Sequence, residues 1–102
     1  MASVILNDVK AAIRVKADSV NQEIEDLIAA CKKEMEIAGV YIQDETDGLA
    51  KQAIKLYCKA HYGYDEKAAQ FQMAYESLRD AMALSGEYVK QEESDGSKVN
   101  LE

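Results

Sequence analysis

Four segments of this chain carry apolar residues at intervals of three or four positions, and the sequence contains no proline. That spacing places apolar side chains along one face of an α-helix. A proline inside such a segment would break the helix, so its absence leaves all four segments free to stay helical. The pattern predicts an all-α fold, a small four-helix bundle with a short first helix and three longer amphipathic helices.

Start and stop signals divide the four segments. The predicted start signals are, in chain order, Asn7, the capping box Ser19-Val-Asn-Gln22, Thr46 or Asp47, and Asp65 followed by Glu66. The predicted ends are Arg14, Ala38 followed by Gly39, Gly63, and Ser85 followed by Gly86. The longest connection, residues 40–47, begins with three apolar residues that we expect to fold back onto the core.

Each predicted helix contributes one apolar stripe to the core. The four stripes are Leu6, Val9, Ala12 and Ile13; Ile24, Leu27, Ile28, Cys31, Met35 and Ala38; Ala50, Ala53, Ile54, Tyr57, Cys58 and His61; and Ala68, Phe71, Ala74, Tyr75, Leu78, Ala81 and Met82. The residues predicted to be mutually buried are Leu27, Ile28, Ile54, Tyr57, Leu78 and Met82.

A length of 102 residues predicts one domain. We expect residues 1–88 to form the helical domain and residues 89–102 to be a flexible tail, because the last stretch has no apolar period and cannot offset the entropy of ordering. Leu101 and Glu102 match the remnant of an expression vector. No signal peptide opens the sequence and no apolar run approaches the length of a membrane span, so a soluble protein without membrane contact is expected.

The charge and the motifs exclude several classes of function. The formal net charge of −7 argues against a protein that grips nucleic acid by its phosphates, although it does not exclude one that surrounds DNA without holding it. The sequence contains neither a glycine-rich phosphate loop nor a GxSxG nucleophile elbow. Tyrosines without interleaved basic residues favour core packing or subunit contact over base stacking.

The remaining candidate residues each have a structural interpretation beside a chemical one. Cys31 and Cys58 lie on apolar stripes and are expected to be buried hydrophobes, because their spacing fits neither a CxxC motif nor a zinc site. His61, the only histidine, is interpreted as a residue at a helix C-terminus, with a catalytic base as the alternative. Two acidic groups are interpreted as solvated faces, with metal sites as the alternative: Glu23, Glu25 and Asp26, and Asp44, Glu45 and Asp47. The sequence therefore predicts no catalytic, cofactor-binding or metal residue, and no cofactor.

The order of these features resembles the head–tail connector family of long-tailed bacteriophages. The resemblance rests on four motifs in sequence: L-x-D-V-K-x-x-I-R-V at 6–15, D-L-I-A-A at 26–30, the helix and aromatic-rich turn at 53–65, and L-x-x-x-x-A-L-S-x-x-Y at 78–88. Their order and spacing carry the resemblance, which covers residues 3–88. One departure from the family pattern is the pair His61-Tyr62, where a bulkier aromatic pair often follows the third helix.

The resemblance implies a structural protein of virion assembly and no enzyme. Members of the family form a ring under the portal protein, by resemblance a dodecamer, which extends the DNA channel and offers a docking platform to later head-completion or tail-joining proteins. DNA would pass through without sequence-specific binding. The implied location is the virion neck, after synthesis in the bacterial host cytoplasm from a phage or prophage gene. The alternative is a small acidic helical adaptor or regulator that binds another protein without forming a ring.

Overall fold

The computed structural model describes residues 5–62 and 66–89. In chain order the elements are α1 (Leu6–Ala12), a 3-10 turn (Asp18–Val20), α2 (Asn21–Ile37), α3 (Gly48–His61) and α4 (Ala68–Ser85). No strand occurs in these two ranges, and the prediction of an all-α fold with a short first helix and three longer ones is confirmed.

Helix α3 lies at the centre and packs against each of the other three helices. Lys32 of α2 pairs with Glu45, just before α3, with 2.6 Å between the Nζ and Oε2 atoms. Tyr88, just after α4, donates a hydrogen bond of 2.8 Å to Asp47, the residue that precedes α3. The start of α3 therefore lies beside the ends of both α2 and α4, and both helices run antiparallel to it.

The core is formed by one side of each helix and by the apolar start of the 40–47 connection. Its buried residues are Ile5, Leu6, Val9, Ile24, Ile28, Cys31, Met35, Val40, Ile42, Ala50, Ala53, Ile54, Tyr57, Cys58, Tyr75 and Met82. Val40 and Ile42 fold back as predicted. Leu27 and Leu78, predicted to be buried, are only partly buried and pack against the edge of this cluster.

The start of α2 differs from the predicted capping box. Ser19 lies in the 3-10 turn, and the helix begins at Asn21 with no side-chain cap. Lys10 of α1, only 8% exposed, donates instead to Asn21 Oδ1 at 2.7 Å and to Asp18 Oδ1 at 3.1 Å. A tertiary contact from α1 thus orders the entry to α2, and the local capping signal is overridden.

The start of α1 was also predicted incorrectly. The helix begins at Leu6, so Asn7 lies inside the first turn and caps nothing. Ile5 and Leu6 are both buried, so contact with the core begins before Asn7 and favours the earlier helix start. At the other end, Arg14 adopts a positive φ of 62°, close to the predicted end.

The glycine stops and one cap were predicted correctly. Gly39 and Gly86 adopt positive φ angles of 98° and 74°, directly after α2 and α4. Asp47 accepts a hydrogen bond of 3.0 Å from the Ala50 amide and caps α3. Helix α4 begins at Ala68, so Glu66 precedes its first turn; the predicted cap Asp65 and the stop Gly63 lie outside the described residues.

Candidate interaction surfaces

The acidic residues of the 40–47 connection each have a structural partner. Asp44 accepts hydrogen bonds from the Thr46 amide at 2.9 Å and from the Thr46 hydroxyl at 2.6 Å, and these bonds lower the pKa of the Asp44 carboxyl. Glu45 pairs with Lys32, while Asp47 caps α3 and accepts a hydrogen bond from the Tyr88 hydroxyl. The interpretation as a solvated face therefore holds for Asp44, whereas Glu45 and Asp47 are half-buried and hold elements together.

The second acidic group lies at the start of α2. Glu23 and Asp26 are exposed, and Asp26 accepts a hydrogen bond of 2.9 Å from Gln22 one turn earlier. Within the described ranges, no group of three or more His, Cys, Asp and Glu side chains is arranged to hold a metal ion.

His61 is exposed at the end of α3, and its predicted place on the buried stripe is wrong. Its ring stacks on Tyr57 with 4.2 Å between centroids, and its Nε2 atom lies 3.0 Å from Gln72 Oε1. The buried stripe of α3 ends at Cys58, and His61 lies exposed at the helix end, beside Gln72 of α4. His61 therefore contacts an aromatic ring and an amide at the rim of the core.

Cys31 and Cys58 are fully buried free thiols, as predicted. Burial raises the pKa of each thiol to about 12, so both remain protonated at neutral pH. Burial also raises the pKa of Tyr75, whose ring meets Tyr57 edge-on at 5.2 Å. These groups behave as the apolar packing of the α2–α3–α4 junction.

The exposed side of α4 carries a stripe of uncharged residues beside two exposed carboxylates, Glu76 and Asp80. We define the outer face of α4 by its uncharged exposed residues Ala69, Gln70, Met73, Ala74, Ser77, Ala81 and Leu84. Met73 and Leu84 are 69% and 88% exposed. Ala74 and Ala81 were predicted to be buried and are exposed, because α4 packs on α3 through Tyr75 and Met82. Large apolar side chains exposed on one helix indicate a contact surface when they lie close together, and Met73 and Leu84 flank the exposed alanines of this stripe.

The corresponding side of α2 has a different composition. We define the outer face of α2 by Gln22, Asp26, Ala30, Lys33 and Ile37, all exposed. Charged residues alternate with Ala30 and Ile37, and Ile37 is 81% exposed at the end of the helix. Arg79 of α4 pairs with Glu34 of α2 at 3.2 Å, so these two helices also contact each other directly.

Two adjoining clefts lie where α2 and α4 end. Tyr41 and Val89 line both of them. Glu36 and Gly39 complete the larger cleft, of about 250 Å³, and the smaller, of about 150 Å³, includes Asp44, Asp47 and Glu87 in its lining. The main-chain oxygen of Tyr88 accepts a 2.6 Å hydrogen bond from the Tyr41 amide, which fixes Val89 at this place.

Comparison with known proteins identifies the family. A family model described as phage connector protein matches residues 5–89, most of the chain. The chain belongs to the phage connector protein family. The match confirms the resemblance drawn from the sequence motifs and makes the connector a structural protein of a bacteriophage. No curated protein and no solved structure matches it.

The family match and the described structure end together, just beyond Tyr88 of the connector. The sequence predicted the end of the last helix at Ser85 and the end of the helical domain at Tyr88, but it indicated no contact for Tyr88. An isolated aromatic three residues after a predicted helix end was the available signal, but nothing local shows where it packs. None of the described helices combines the length and apolarity needed to cross a bilayer.

Proposed function

We propose that this connector assembles head-to-tail into a ring at the head–tail junction of a phage, on the portal protein. Its membership of the phage connector family over residues 5–89 is the observation that carries the proposal. The ring, by resemblance a dodecamer, extends the DNA channel in the virion neck. Its free rim offers a docking platform to a head-completion or tail-joining protein.

Head-to-tail association needs two different surfaces on each subunit. The outer face of α4 supplies one, since its alanines and Ser77 allow close approach of another helix and Met73 offers exposed apolar surface, with the carboxylates of Glu76 and Asp80 beside this stripe. The outer face of α2 supplies the other, with Ala30 and Ile37 as its apolar positions. The two faces lie on different helices that each pack against α3, so one subunit can contact two neighbours at once.

The charge of the chain is compatible with a DNA channel. The formal net charge of −7 repels a phosphate backbone, so a channel wall built from this protein avoids adhesive contacts with passing DNA. We therefore propose that DNA passes without sequence-specific binding.

A catalytic role is not part of the proposal. His61 stacks on the ring of Tyr57 and its Nε2 atom lies beside the Gln72 amide, so these contacts do not pair it with a serine or cysteine nucleophile. We expect His61→Gln to alter the stability or the assembly of the protein, and we expect no enzymatic turnover to be affected. Stoichiometric binding of a metal ion at His61 of the wild-type protein would contradict that expectation.

Electron microscopy of the protein mixed with its portal tests ring assembly. Met73→Glu on α4 and Ala30→Glu on α2 should each abolish annular particles, because each places a carboxylate in a proposed subunit contact. Gln52→Glu, at an exposed position of α3, adds the same charge outside both faces and should leave the rings intact. Circular dichroism should show that all three variants remain folded.

The opposite result supports the adaptor interpretation. If the wild-type protein forms only compact monomers or closed twofold dimers with portal present, it binds a partner without a ring. If rings form and neither face variant disrupts them, ring assembly is supported but the assignment of the two contact faces is wrong.

We also propose that residues 89–102 act as an arm that reaches the portal or an adjacent subunit. Deleting residues 90–102 leaves Tyr88 and Val89 in place, so the melting temperature should hardly change. Ring formation on the portal should weaken. Unfolding on truncation would assign the segment to the core, and no change in either property would make it a passive extension.

A further inference from the structure

The larger cleft at the end of the bundle is lined by an apolar side chain, an aromatic ring and a carboxylate. Val89, 53% exposed, supplies an apolar wall, and Tyr41 supplies an aromatic ring. Glu36 supplies a carboxylate that has only a loose surface pair with Lys33, at 3.9 Å. Gly39 forms the floor, and a Cβ built on it would meet no atom within 4 Å, so the cleft is open above its backbone.

The electrostatic character of this end is negative. Asp44, Asp47 and Glu87 line the adjoining cleft, and no lysine, arginine or histidine among the described residues lines either one. Carboxylates grouped beside low-dielectric walls concentrate a negative potential that attracts a cation.

We propose that this cleft binds an arginine side chain of a partner protein, flanked by an apolar residue. Arginine has an apolar stem that packs on valine, and a planar guanidinium that stacks on tyrosine and pairs with a carboxylate. A metal ion would make no use of the Val89 and Tyr41 side chains, and an apolar side chain would shield Glu36 from water with only its 3.9 Å pair with Lys33 to compensate. The proposal is independent of ring formation, because a single subunit carries the whole cleft.

The probe is a capped twelve-residue peptide with one arginine between two leucines in an alanine, glutamine and serine background. Its control carries citrulline, the neutral isostere of arginine, at the same position. Both are titrated into the full-length ¹⁵N-labelled protein under conditions in which it is monomeric. Perturbed amide resonances should map to Gly39, Tyr41 and Val89, and citrulline should weaken binding about threefold to tenfold.

Matched variants separate this site from general attraction between opposite charges. Glu36→Gln should weaken arginine-peptide binding about twofold to fivefold, whereas Glu23→Gln removes the same charge from the start of α2 and should change nothing. Val89→Ser should weaken binding of both peptides, whereas Met73→Ser on the outer face of α4 should not.

Equal affinity for the arginine and citrulline peptides would overturn the proposal. So would perturbations confined to the outer face of α4, or equal effects of the Glu36 and Glu23 variants. Concentration-dependent shifts at Gly39, Tyr41 and Val89 without peptide would also overturn it, because they would show a second copy of this chain in the cleft. None of these results bears on ring formation with portal.

Discussion

Helices α3 and α4 carry similar apolar periodicity but use it differently. In α3 the apolar residues from Ala50 to Cys58 that lie on the stripe are all buried, because other helices surround it. In α4 only Tyr75 and Met82 are fully buried, while Met73 and Leu84 lie in solvent. The comparison shows that helical periodicity measures how much apolar surface a helix offers, and that its neighbours determine how much is covered within the subunit.

The largest expected difference between the two helices is in stability. Ile54→Ala removes a fully buried side chain of α3 and should lower the free energy of unfolding by about 2–5 kcal/mol. Met73→Ala on α4 should change it by less than about 0.5 kcal/mol, since the side chain is exposed. Urea unfolding measures both values. Equal effects would mean that the outer face of α4 is covered within the monomer.

Leu78 lies between these extremes and sharpens the comparison. It is partly buried at the edge of the core, so Leu78→Ala should cost about 1–2 kcal/mol, less than a fully buried leucine would. The same unfolding experiment checks this value. A cost as large as that of Ile54→Ala would place the inner stripe of α4 deeper in the core than its exposure indicates.

Measuring the free energy of unfolding at alkaline pH tests whether water reaches the buried side of α3. The buried Cys58 thiol has a pKa of about 12 against 9.0 for a free thiol, so its protonated form is favoured by folding. This contribution is fully present below pH 9 and is lost as the pH rises toward 12. Between pH 8 and pH 10, Cys58→Ala should lose about 1 kcal/mol less stability than the wild type. Identical pH slopes for the two proteins would indicate that Cys58 is reached by water.

The smallest effect concerns the contact that joins the end of α4 to the start of α3. Tyr88→Phe removes the hydrogen bond to Asp47 but keeps the ring, so it should cost about 0.5–1 kcal/mol. Hydrogen exchange of the Tyr41 amide, which bonds the Tyr88 main-chain oxygen, should accelerate slightly. Unchanged stability and unchanged exchange would show that ring packing alone holds Tyr88.

Residues of the candidate surfaces were only partly predictable. The flanks of α2 and α4 follow from helical period, because a stripe of buried residues leaves the opposite side outward. The uncharged stripe on the α4 flank was missed, since Ala74 and Ala81 fit the period of the buried stripe as well as that of its edge. The clefts beside Tyr41 and Val89 were not predictable, because they are built from segments that are 48 positions apart in the chain.

The sequence by itself determined the helices and most of their ends, because these depend on interactions within a few residues. Asp47 caps α3 from three positions before Ala50, and Gly39 and Gly86 stop helices because a residue without a Cβ adopts positive φ at little cost.

Only the tertiary structure decided what depends on distant partners. Lys10 orders the start of α2 across eleven positions, in place of the local Ser19 signal. Tyr88 bonds Asp47 across 41 positions and closes the end of the bundle. The burial of α3 and the exposure of the α4 flank have the same origin, since apolar surface is removed from water only where another helix covers it.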